Sequence, residues 1–397
     1  MHRRFAPFAA RRFVRSLARS ALGALPAVVV LMMAAAPRAG AAPAPGWTQR
    51  LQAELQRIER QLEGSRRSAG VGVYVRDLSS GASVSLHGQE PWYLASTVKV
   101  PVAIAVLRGV ERGDYTLETT LTLRAGDYVD GAGATNRHAA GEALTIRYLL
   151  EQMIVYSDNT ASDMLIGLVG IREVNALVAS LVPKGFERIT SLADVRRQAY
   201  GQLDPGAAHL SGHDFLVLKA QRTDADRMKT LALLLQVPAS GFRLRSLGEA
   251  YDAYYASGLN SGRLDAYGEL LALLVEGKAL GAAYTAYLLG VMDGVKTGPR
   301  RIRAGLPPQV RFAHKTGTQR ARICDSGVIT VPRPGPDQRI VVAACVRGEP
   351  SLDRSERVLR QVGEAICASG LLTHGKLHDP SCRSLPSVLP GPGADER

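Results

Sequence analysis

Strand-forming segments stand near the two ends of this chain with a long helical stretch between them. That order narrows the fold more than any other feature. Gly70 to Leu86 reads as a hairpin, "GVGVYVRDL" and "ASVSL", turning at Ser79-Ser80-Gly81. Strands return only at Val310–His314, Ser326–Val331 and Ile340–Val346. Between them, Ser96 to Met164 and Asp214 to Leu289 are mostly helical in pattern, the first interrupted by the loop "DYVDGAGATNRHAAG". A helix with Leu51, Leu55, Ile58 and Leu62 on one face precedes the hairpin, and another from about Asp353 to Ala368 follows the last strand. A parallel βαβ fold would alternate its elements, and this chain does not. The expectation is an α+β fold: an antiparallel five-stranded sheet made from both chain ends, flanked by helices, with a helical subdomain between.

The ends of the chain differ from the middle. Arg3, Arg4, Arg11, Arg12, Arg15 and Arg19 form a basic stretch with no acid among them. An apolar run from Ala21 to Ala36 follows, then Ala39-Gly40-Ala41, the small residues a signal peptidase reads. Residues 1–41 are expected to be an export signal, which makes the mature protein periplasmic or secreted. The apolar run is broken by Pro26 and falls short of the roughly 20 residues of a spanning helix, so no stable membrane anchor is expected. The signal holds seven of the arginines, which lowers the formal charge from +13 to +6 and excludes a nucleic-acid-binding footprint. Residues 42–372 are expected to form one domain, acting as a monomer, and the Pro- and Gly-rich residues 373–397 a disordered tail. Export permits disulfides. Cys324 and Cys345 lie symmetrically about the turn "RPGPDQ", which favours that pair and leaves Cys367 with Cys382. A one-residue register slip would separate the first pair, so free buried thiols are the competing reading.

Three short motifs carry chemistry. Ser96-Thr97-Val98-Lys99 is the chain's one Ser-x-x-Lys, and on a helix Lys99 would lie one turn from Ser96 on the same face, able as a neutral amine to take its proton. Ser157-Asp158-Asn159 puts a hydroxyl and an amide on one tight loop, where Asp158 can cap the helix that follows. Lys-Thr-Gly occurs twice, at Lys296-Thr297-Gly298 and Lys315-Thr316-Gly317. Pro299 follows the first copy and has no N–H to donate, whereas Thr318 follows the second, behind the strand-like "QVRFAH". Lys315 is therefore the candidate and Lys296 a decoy.

In this order and spacing the motifs resemble the penicillin-recognising serine hydrolases, most closely the class A β-lactamases, over nearly the whole mature chain. The resemblance implies Ser96 as an acylated nucleophile, Lys99 as its base or proton relay and Ser157 as a second relay hydroxyl. It implies that Asn159 holds the substrate side chain and that Lys315 and Thr316, with Gly317 beside them, receive the substrate carboxylate. The backbone N–H groups of Ser96 and Thr318 would form the oxyanion hole. Arg320 and Arg322, just beyond, read as solvated strand-end arginines. The implied substrate is a β-lactam or a D-Ala-D-Ala-like peptide, and no cofactor is implied. The expected function is that of a β-lactamase, with a D-Ala-D-Ala peptidase or a sensor that acylates without turnover as alternatives.

The chain departs from that family at one place that matters. Class A enzymes carry a Glu, in a Glu-x-x-Leu-Asn pattern, that activates the deacylating water. Here the matching stretch "ERITSLADVRRQAYGQLDP" lacks the pattern and puts Arg196 about where the Glu should be. The stretch between Ser157 and Lys315 is also longer than usual, with the excess at about 197–260, including the Tyr-rich "EAYDAYYASG". It is expected to be either a lid over the site or a helical elaboration. His209 and His213, next to Asp214, have metal-like spacing, but Gly212 argues against a regular helix there and no metal is expected.

Overall fold

The structure, a computed structural model, describes residues 46–66, 68–373 and 382. The expected export signal and nearly all of the expected tail lie outside them. Helix α1 (Gly46–Ser65) leads into strands β1 (Gly70–Asp77), β2 (Ser83–Leu86) and β3 (Pro91–Tyr93), and then into helix α2 (Lys99–Arg112). The short strands β4 (Thr120–Thr122) and β5 (Ala143–Thr145) bracket the loop that interrupts the helical pattern. Helices α3 (Ile146–Val155), α4 (Asn159–Val169), α5 (Ile171–Leu181) and α6 (Leu192–Gly201) follow. The enlarged segment then holds α7 (Gly212–Ala220), α8 (Asp224–Leu235) and α9 (Leu247–Ala256). Strand β6 (Ser261–Arg263), helices α10 (Leu264–Val275) and α11 (Ala282–Asp293), strands β7 (Arg311–Gln319), β8 (Arg322–Val331) and β9 (Gln338–Arg347), and helix α12 (Leu352–Ala368) complete the chain.

The main sheet has the order β2-β1-β9-β8-β7, antiparallel throughout, so both chain ends build it as expected. Both of its faces are covered, which explains why β9 reads as an unbroken apolar run rather than an alternating one. Ile340, Val342, Ala344 and Val346 pack with Leu51, Leu55 and Ile58 of α1 and Val358, Leu359 and Val362 of α12. Val341, Ala343 and Cys345 face the opposite core, built on the helical block. Burial of the α1 stripe contributes about 1.5–3 kcal/mol per large side chain. Arg50 adds a polar pin, donating from Nε to the Ser369 carbonyl at 2.8 Å.

The register of β8 on β9 sets Cys324 directly opposite Cys345, and the two are joined, as are Cys367 and Cys382. Cys324 and Cys345 share the face toward the helical core. Replacing both Cys324 and Cys345 by Ala should lower the unfolding free energy by about 2–4 kcal/mol. A fall in the urea midpoint at an unchanged slope is the expected reading; no fall would show that the bridge constrains nothing.

Candidate active site

The turn that carries Ser96 is seated by its neighbours. β3 pairs with β6, and the next residue, Leu94, donates its N–H to the Asn260 carbonyl at 2.9 Å. Asn260 is buried and held by Thr190, which donates N–H to its Oδ1 at 2.9 Å, and by the Tyr254 hydroxyl at 2.9 Å. Ala95 then takes a left-handed φ of 47°, a strained value for a residue with a Cβ. Ser96 was expected to open the helix directly. Instead Ala95–Val98 is a 3-10 turn and α2 starts at Lys99. Three residues per turn eclipse positions i and i+3, so the tighter turn still sets Ser96 and Lys99 on one face. The Ser96 hydroxyl makes no hydrogen bond among the described residues, and Ser96 lines a cavity of about 590 Å³.

Lys99 is fully buried. Its Nζ donates toward the Ser157 carbonyl at 2.6 Å and Asn159 Oδ1 at 2.7 Å, with Ser157 Oγ at 3.3 Å. Burial pushes this amine down to about 7 from an ordinary 10.5, and the cationic Arg196 pushes the same way, against Asp158 and Asp163. Lys315, on β7, is also fully buried and donates to Ser157 Oγ at 2.9 Å and to the Thr316 carbonyl at 3.0 Å. Burial holds it well below the usual lysine value, and the neighbouring Lys99 and Arg301 add to the effect. Neither lysine lines the cavity; both meet it through the hydroxyl of Ser157. Ser157 itself has a left-handed φ of 62°, a second strained residue at the centre of the site.

The remaining expected residues fall around these. Asp158 caps α4 through the Ala161 N–H at 2.9 Å and also accepts the Thr135 N–H at 2.9 Å, which leaves Ser157 and Asn159 facing the cavity. Asn159 Nδ2 donates to the Asp130 carbonyl at 2.6 Å. Thr316 and Thr318 line the cavity, while Gly317 faces the turn that carries Ser96. A Cβ on Gly317 would sit 2.5 Å from the Leu94 carbonyl and 3.0 Å from Ala95 Cβ, so only glycine lets the edge strand pass this close.

The two Lys-Thr-Gly copies turn out to be neighbours. Lys296 is exposed and Gly298 turns with φ 58° after the end of α11, as a helix-end reading requires. Yet Thr297 lines the cavity and its hydroxyl bonds that of Thr316 at 2.5 Å. Four residues on, buried Arg301 donates to the Gly317 and Cys324 carbonyls, both at 3.0 Å, and to Thr318 Oγ1 at 2.7 Å. Sequence reasoning missed Thr297, Arg301 and Asp130. The discarded tripeptide was the one available signal for the first two.

Arg196 projects from α6 into the same cavity. Asp163 holds the start of that helix, accepting the Leu192 and Ala193 N–H groups at 2.7 and 2.8 Å. Arg196 is largely buried and grips Asp130 bidentately, Nε to Oδ1 at 2.5 Å and Nη2 to Oδ2 at 3.1 Å. Past it, the enlarged segment is a packed wall rather than a loose flap. Gly212 lies against the Tyr128 carbonyl, the Tyr255 hydroxyl donates to the Arg320 carbonyl at 2.9 Å, and the Arg322 guanidinium stacks 4.4 Å from the Tyr255 ring. Arg320 pairs with Asp224 and Arg322 lies 3.6 Å from Asp252, so these strand-end arginines hold the wall. Asp214, beside His213, caps α7 reciprocally with Ser211.

Residues 50–369 match the family described as the beta-lactamase enzyme family. Beta-lactamase L2 of Stenotrophomonas maltophilia is 37% identical over 99 residues, which is 25% of this chain and 32% of that protein. The aligned stretch therefore spans about a third of that relative's length. Among solved structures, a beta-lactamase from Sphaerobacter thermophilus superposes with TM-score 0.59 at 24% identity, covering 81% of this chain and 98% of that one. A variant of PBP-A, solved as its acyl-enzyme with penicillin G, gives 0.59 at 22% over 79% and 94%. The TLA-1 extended spectrum beta-lactamase gives 0.61 at 19% over 82% and 99%. At these identities the structural likeness is one of fold.

An amine poised near 7 predicts how the site responds to pH. If Lys99 serves as the base for Ser96, the rate of acylation by a penicillin should climb as pH passes about 7, where Lys99 loses its proton, and level off above. A flat profile between pH 5.5 and 9 would exclude Lys99 as the base. Gly317→Ala should keep the fold by circular dichroism, cost about 1–3 kcal/mol of stability and slow any acylation at Ser96, because the new Cβ displaces the turn that carries it. Acylation at the parental rate would show that the close approach is unimportant.

Proposed function

This chain belongs to the beta-lactamase enzyme family, and from that premise we propose that it opens β-lactam rings through an acyl-enzyme on Ser96 which it then hydrolyses slowly. The observation that carries the reading is the convergence of two buried amines, with Nζ–Oγ distances of 3.3 Å for Lys99 and 2.9 Å for Lys315, on the hydroxyl of Ser157 at the cavity wall. In this reading Lys99 takes the proton of Ser96 as Oγ bonds to the lactam carbonyl carbon. The backbone N–H groups of Ser96 and Thr318 receive the oxyanion. When the carbonyl collapses and the C–N bond breaks, Ser157 passes a proton to the departing nitrogen and is resupplied by the amines behind it. Thr316 and Thr318 receive the substrate carboxylate with the Lys315 amine behind them through Ser157, Gly317 lets their strand approach, and Asn159 receives the acyl side chain. Arg301 tethers Thr318.

Slow hydrolysis follows from Arg196. A guanidinium stands at the position aligned with the water-activating Glu, and both oxygens of the nearby carboxylate, Asp130, are taken up by that guanidinium. The same observation favours a second reading, a peptidase acting on D-Ala-D-Ala-like amides or esters for which β-lactams are long-lived acylating agents. The protein acts outside the cytoplasm after cleavage behind Ala41, a location that the two disulfides support.

Incubation with a chromogenic cephalosporin, with intact mass taken at intervals, tests this. The expected result is a burst of colour and a covalent adduct that persists and disappears in Ser96→Ala. Steady fast colour with little adduct would overturn slow hydrolysis, and neither colour nor adduct would overturn the whole reading. Arg196→Glu should speed loss of the adduct by on the order of tenfold or more. Unchanged loss would remove Arg196 from the water-activating position.

A further inference from the structure

The charges lining the cavity are balanced except at one place. Asp130 is neutralised by Arg196, Arg320 by Asp224, and Glu349 by Arg354 at 3.1 Å. The one lining cation without a carboxylate among the described residues is Lys219, exposed near the end of α7. Arg196 uses Nε and Nη2 on Asp130, and no described residue accepts from its Nη1. The lining of the cavity to which both residues contribute is thus net positive and has unused donors.

Its place relative to Ser96 is set by Asn159. Asn159 Nδ2 donates to the carbonyl of Asp130, and the carboxylate of the same Asp130 grips Arg196. Arg196 is therefore linked through Asp130 to the amide assigned to the acyl side chain. Helix α7 packs against the turn Ala125–Asp127 that leads into Asp130, which brings the enlarged segment to this side of the cleft.

We propose that Lys219 and Arg196 form a second anion subsite, which takes a carboxylate carried on the acyl part of the substrate. The preferred substrates are then acidic: β-lactams or peptide amides with one carboxylate on the leaving side and another on the acyl side. The enlarged segment contributes Lys219 to the site, so it sets specificity as well as walling the cleft. This proposal rests on the reading that Ser96 is acylated by such compounds.

The test uses two penicillins of one shape, α-carboxybenzylpenicillin and α-aminobenzylpenicillin, with acylation followed by intact mass. The parent protein should favour the carboxy compound, and added salt should weaken that preference. Lys219→Glu should lower the carboxy-to-amino rate ratio by on the order of tenfold. The same reversal at exposed Lys184, which does not line the cavity, should leave the ratio as it was. An equal fall in both variants would reduce the effect to net charge and overturn the subsite, as would a parent ratio at or below one. If neither compound forms an adduct, the acylation reading fails by itself. Calorimetry on Ser96→Ala then decides the subsite: tighter binding of the carboxy compound, abolished by Lys219→Glu, supports it, and equal binding overturns it.

Discussion

Two ammonium groups cannot both be buried as cations at low cost, and the site is arranged around that constraint. Lys99 and Lys315 are both fully buried and both reach Ser157 Oγ. Each amine destabilises the charged form of the other, and burial disfavours both charged forms. What keeps them in place is a set of oxygens: the Ser157 and Thr316 carbonyls, the Asn159 amide oxygen and the shared hydroxyl. Strained backbone at Ala95 and Ser157 follows, since the turns that aim these groups are not ones that residues with a Cβ readily adopt. A site built this way holds at least one amine close to neutrality at ordinary pH, which a solvated lysine is not.

Much of this was legible in the sequence, because much of it is periodic or local. The α1 stripe, the hairpin and the apolar runs of β8 and β9 announce their own burial, while symmetric placement about a turn favoured Cys324 opposite Cys345 and the observed register decides it. Ser96, Lys99, Ser157, Asn159 and Lys315 sit in motifs whose spacing implies a geometry, and the structure brings them together. Pro299 marks Lys296 off from Lys315, and the structure leaves the first exposed and buries the second against Ser157. The exact start of α2 was not legible, because a 3-10 turn and a first helical turn have the same i, i+3 spacing.

What escaped the sequence are contacts between segments that carry no common pattern. Thr297 reaches Thr316 only because the chain after α11 runs back along the edge strand, and Arg301 is recognisable only from the carbonyls of Gly317 and Cys324 that it spans. Asp130 lies in a loop with no periodicity and acquires meaning from Arg196, which is distant in the chain. The enlarged segment could be read as lid or elaboration. Its tyrosines and capped helices decide for a wall, through packing that no local signal encodes.

The sheet that presents β7 to the site has a consequence for timing. β1 pairs with β9 along its whole length, Gly70 opposite Arg347, so the strand made first waits for the strand made last. Closing so long a loop is slow, and topologies dominated by such distant pairs fold slowly. The oxyanion donor expected on β7 and the turn bearing Ser96 can meet only once nearly all of the chain has emerged. The parts of this site therefore come together only in a late step of folding.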